Sequence, residues 1–132
     1  MKYTPDIRAL LRHIRTANEF LRWLREEGDL LIASADLLGG PSWSLRAKAV
    51  VQGARCGRDI SSYRRSLAAL RKLLNLEFVN YLESPEAARF AALSPDDPRA
   101  DQARLCAEVL ARALRAIEAL RLAGVPCLRG AA

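Results

Sequence analysis

Apolar residues recur along the first third of the chain at alternating intervals of three and four. Ile7, Leu10, Ile14, Ala17, Leu21, Leu24, Gly28, Leu31, Ala35 and Leu38 fall on one seam. This spacing stacks them on a single helix face. Thr4-Pro5-Asp6 supplies a start: a hydroxyl to cap free amides, a proline whose missing N–H costs nothing there, and a carboxylate near the positive end of the helix dipole. The seam keeps its phase across Gly28, so the pattern predicts one long helix over about 5–38, ended by Gly39-Gly40-Pro41-Ser42.

A second helical stretch opens near Ser42 or Ser44 and is rich in small residues: Ala47, Ala49, Gly53, Ala54 and Gly57. Helix propensity is lowest at the two glycines, so a bend is expected there, with Asp59 able to cap a fresh start and the glycines admitting a close helix crossing. Ile60, Tyr63, Leu67, Leu70, Leu74 and Tyr81 then continue a seam. Ser84-Pro85-Glu86 repeats the hydroxyl, proline, carboxylate start and predicts a short helix to about Leu93. Asp97-Pro98 opens the last long helix, whose seam is Ala103, Cys106, Leu110, Ala113, Ile117 and Leu120, and Gly124-Val125-Pro126 stops it. No strand-like alternation of useful length occurs. The expected fold is all-α, a single domain over 1–132 built as an antiparallel helical bundle of three long helical segments plus one short helix.

Composition supports a self-sufficient core. At 132 residues, 51% of them hydrophobic, the chain needs neither disulfides nor a structural metal to fold. No apolar run is long enough to span a membrane, and the first residues lack the pattern of a secretory signal, so a soluble cytoplasmic protein is expected. Cys56, Cys106 and Cys127 form no C-x-x-C pair and read as reduced packing residues. His13 is the only histidine, which precludes a two-histidine metal site; no metal and no cofactor are expected. The glycines at 39–40 and 53–57 lack the following Lys-Ser/Thr and the preceding strand of a phosphate loop.

Charge changes the picture most. The formal net charge is +6, yet the segment from Arg46 to Lys72 alone carries eight basic residues against Asp59, and the remainder of the chain sums to −1. On a continuous helix Arg58, Arg65 and Lys72 would stack on one line, flanked by Arg64 and Arg71. Like charges at that spacing repel, so folding alone does not explain their accumulation. A polyanion would relieve it. Small residues and the hydroxyls of Ser61 and Ser62 between the bases would let a phosphate backbone approach and receive hydrogen bonds. Arg55, Arg58, Ser62, Arg64, Arg65, Arg71 and Lys72 are therefore the candidate nucleic-acid-binding residues. No aromatic platform accompanies them, so binding is expected to be indifferent to base sequence. Four to six neutralised phosphates would give a log affinity against log salt slope of roughly −3 to −5. A solvated basic face that binds nothing is the plain alternative.

Phe20, Trp23 and Trp43 are the large apolar side chains the seams explain least. They either widen the core or form a patch for a protein partner or a second copy. Finally, Arg8-Ala9-Leu10-Leu11-Arg12-His13 resembles the R-x(4)-H element of the helical HEPN ribonucleases, which implies an arginine stabilising phosphate charge and a histidine moving protons. The element departs from that family by lying in the first helix and by having Ala9 where a polar residue commonly follows the arginine. The leading expectation is thus a non-enzymatic helical subunit holding a nucleic-acid backbone or a ribonucleoprotein assembly. The alternative is a protein-interaction or scaffold bundle that self-associates or meets an acidic partner; a HEPN-like ribonuclease ranks third.

Overall fold

The computed structural model describes residues 16–77, 84–94 and 96–123. Among these the chain is all-α, without a strand: α1 (Ala17–Gly39), α2 (Pro41–Arg55), a 3-10 turn (Ile60–Tyr63), α3 (Arg64–Leu74), α4 (Pro85–Ala91) and α5 (Pro98–Leu122).

The first expectation needs correction. A single helix over 5–38 would pass through Thr16, but Thr16 is extended (φ −122°, ψ 161°) and its hydroxyl oxygen accepts the Glu19 amide at 3.2 Å. The Thr16 hydroxyl also donates to the Glu19 carboxylate at 3.1 Å. This T-x-x-E capping arrangement starts a helix of its own. The proposed start at Thr4-Pro5-Asp6 lies outside the described residues. Further along, α1 bends at Glu27 (φ −118°, ψ 16°), yet Leu21, Leu24, Gly28, Leu31, Ala35 and Leu38 remain buried on one side. The seam survives because Gly28 lets α2 close on the bend: a Cβ there would stand 2.5 Å from Val51 Cγ1.

The expected break after α2 is present and has a definite form. Gly57 takes φ +77°, its N–H donates to the Ala54 carbonyl at 3.2 Å, and the Arg58 N–H donates to the Gly53 carbonyl at 2.9 Å. These two bonds make a Schellman motif, which consumes carbonyls the helix end would leave open. Asp59 then caps the 3-10 turn through the Ser61 amide at 3.0 Å. Gly53 accommodates the Tyr63 ring rather than a crossing helix. Ser84 and Asp97 cap α4 and α5 as expected, accepting from the amides of Ala87 and Arg99, and each is followed by a proline at the helix start.

One apolar cluster joins the elements. Phe20, Leu24 and Leu31 of α1, Val50 and Val51 of α2, Leu67, Leu70 and Leu74 of α3, and Cys106, Leu110, Ala113 and Ile117 of α5 are all buried in it. α1 packs against α2, α5, α3 and α4, and α3 packs against α5. The described region has two long helices, α1 and α5, with the basic middle of the chain divided between α2 and α3 rather than forming a third.

Candidate nucleic-acid interface

α3 separates its residues cleanly. Leu67, Leu70, Leu73 and Leu74 are buried, while Arg64, Arg65 and Lys72 are exposed and Arg71 is partly covered. The helix contains four basic residues and no acid. Its leucines fix which way the cations turn, because burying four apolar side chains outweighs the few tenths of a kcal/mol lost to like-charge repulsion.

The seven predicted residues divide by their neighbours. Arg55 closes α2 onto α1: its Nη2 donates to the Arg25 carbonyl at 3.3 Å and lies 3.5 Å from the Asp29 carboxylate, while Arg25 Nε donates back to the Ala54 carbonyl at 3.2 Å. Arg64 lies 3.5 Å from Glu118 of α5, a carboxylate that also pairs with Arg121. The hydrogen bond from Arg121, helped by the charges of Arg121 and Arg64, holds the Glu118 carboxyl below the usual range. Arg71 stands 3.7 Å from Glu77. Arg58, Arg65 and Lys72 are exposed and have no carboxylate within ion-pair distance among the described residues.

Two expectations about this surface are corrected. Arg58 does not continue the line of Arg65 and Lys72 along a helix, because the Schellman turn places it in the α2–α3 connection. Ser62 does not hold a free hydroxyl proton: it donates to the Asp59 carbonyl at 2.7 Å, and Ser61 donates to the Asp59 carboxylate at 2.8 Å. Both hydroxyls donate their protons within the turn. A phosphate here would meet cations rather than hydroxyl donors.

The aromatic patch is also corrected. Phe20 is 0% and Trp23 2% exposed, and their rings stack at 6.1 Å inside the core, so neither is available to a partner. They follow Leu21 and Leu24 inward because α1 is covered on more than one side, by α2 and α5. Trp43 alone stays half-buried, lying on Gly39 with the Arg46 guanidinium 5.0 Å above its ring. Arg8 and His13 lie outside the described residues. Cys106 is buried, 4.0 Å from the Ser34 hydroxyl, and desolvation pushes its thiol up to about 12, so it is held neutral and unsuited to nucleophilic work. Among the described residues no His/Cys/Asp/Glu group could hold a metal ion, and no helix is long and apolar enough to cross a membrane.

Sequence reasoning found the cations but missed their intramolecular partners, Asp29 and Glu118, which come from other helices. No local pattern marks such pairs. No known protein family matches the chain, nor does any curated protein or solved structure.

Proposed function

We propose that this protein is a small non-enzymatic helical subunit that holds a nucleic-acid phosphate backbone, alone or within a ribonucleoprotein assembly, through the cations of α3 and the connection before it. The observation that carries the reading is the division of charge: among the described residues Arg58, Arg65 and Lys72 are exposed with no carboxylate within ion-pair distance, whereas Arg55, Arg64 and Arg71 are engaged within the fold. Unneutralised cations gain most from displacing condensed counterions on a polyanion. The sequential helices would act as antiparallel neighbours of one bundle, presenting this surface from a fixed core.

Three phosphate contacts instead of four to six lower the expected salt dependence. Fluorescence anisotropy with generic DNA and RNA at several salt concentrations should give a log–log slope of roughly −2 to −3, with little difference between base sequences. Absence of binding at low salt, or binding that salt does not weaken, overturns the proposal. A protein-docking scaffold is the alternative; two of its three expected contact residues lie in the core, leaving Trp43. The ribonuclease reading rests on residues outside the described region, and an RNA-cleavage assay of His13→Ala against the unaltered protein tests it.

A further inference from the structure

A cleft of about 470 Å³ opens between the α1 segment that follows the bend and the start of α5. Its character is the reverse of the α3 surface. Glu26, Glu27, Asp29 and Asp36 line it from α1, Asp29 being already 3.5 Å from Arg55, and the one cation among the described lining residues, Arg99, is held by both oxygens of Asp97 at 2.7–3.2 Å. Leu30 and Leu37, both partly buried, give it an apolar wall.

Acidic residues alone would make a solvated rim. The further observation is Gln102 of α5, which also lines the cleft, is 3% exposed and has no hydrogen-bond partner for its side-chain Nε2. A buried amide without a partner is rare in folded proteins and costs stability, so a polar partner brought into the cleft beside it would be favoured.

We propose that this cleft binds a guanidinium or ammonium group carried on a short aliphatic stem beside a carbonyl oxygen. One α1 carboxylate meets the cation, the stem lies against the leucine wall, and the carbonyl accepts the Gln102 amide proton. Arginine derivatives combine all three parts, either as free molecules or as a side chain in an exposed peptide segment. The inference uses a different surface from the phosphate-binding reading and stands or falls apart from it.

The test is a titration of the full chain with N-acetyl-L-argininamide, followed by amide NMR shifts and calorimetry, with N-acetyl-L-norleucinamide as the uncharged control. A dissociation constant on the order of 1 mM is expected for so small a ligand, with the control at least about tenfold weaker. Gln102→Leu should weaken binding about tenfold while leaving the thermal midpoint unchanged or higher, since it removes a buried unpaired group. The paired change Glu26→Gln with Asp36→Asn touches exposed positions only, keeps the fold, and should weaken binding by a similar factor. Saturable shifts absent up to ~10 mM, equal binding of the norleucine control, or affinity indifferent to the Glu26/Asp36 pair overturns the proposal. A Gly-Arg-Gly peptide binding more tightly than the blocked amino acid identifies a protein segment as the source; weaker binding identifies a free metabolite.

Discussion

α1 and α3 each bury a row of leucines against the same core, yet their outer surfaces are opposites. α1 carries five carboxylates against Arg22 and Arg25, and α3 carries four cations and no carboxylate. The formal charge of +6 is thus a difference between two opposed regions and describes neither. What distinguishes them functionally is how much of each is already neutralised. Asp29 of α1 is met by Arg55, and Arg64 of α3 is met by Glu118, but Arg65 and Lys72 have no such neighbour among the described residues. Total charge identifies a basic protein; only the pairing says which bases are left to act on something else.

The comparison can be broken most forcefully at the buried side of α3. Leu70→Ala should cost about 2–5 kcal/mol in chemical denaturation, since it opens a cavity at a fully buried position. Arg65→Ala, on the outer side, should stay within about 0.5 kcal/mol of the unaltered protein. Equal losses would mean that α3 does not have two separate faces. Next in size, the triple change Arg58→Ala, Arg65→Ala and Lys72→Ala should weaken polyanion binding by about tenfold or more at low salt and flatten its salt slope. Arg55→Ala should leave both nearly unchanged. The contrast is sharpened by Glu118→Gln, which releases Arg64 from its neighbour; affinity for DNA or RNA should rise about two- to threefold, in keeping with the small worth of an exposed pair. Smallest is a pH effect at the start of α5. Bonds from Arg99 hold the Asp97 carboxyl below its ordinary value of 3.8. Its stabilising contribution is therefore full above the ordinary carboxylate range and disappears as pH falls through the lower folded value. Thermal midpoints measured from pH 5 downward should show a shallower acid decline in Asp97→Asn.

Much of this was legible in the residues. Asp59, Ser84 and Asp97 cap where their sequence contexts say they should, because a cap is made by groups two or three residues apart. The α5 seam residues Ala103, Cys106, Leu110, Ala113 and Ile117 are buried as their spacing predicts. The helix start at Thr16 was also written in the chain, as Thr16-Ala17-Asn18-Glu19, but an uninterrupted apolar period from Ile7 to Leu38 masked it. Periodicity reports a face, and a face can persist while the backbone stops and restarts. The candidate interface was half legible. The bases are visible one by one, whereas the Arg55–Asp29 and Arg64–Glu118 neighbours are separated by 26 and 54 positions and exist only once helices pack. Phe20 and Trp23 were ambiguous for a related reason: the width of a buried stripe depends on how many helices cover it, which α1 alone does not state.

The sulfur of Cys106 offers a built-in clock. Cys56 is exposed and Cys106 enclosed, so in a Cys127→Ser background an alkylating reagent should modify the first at once and the second only when α5 lifts from its neighbours. The lag between the two labelling events, followed by mass spectrometry, measures how often the interior opens under native conditions, without denaturant or an added probe.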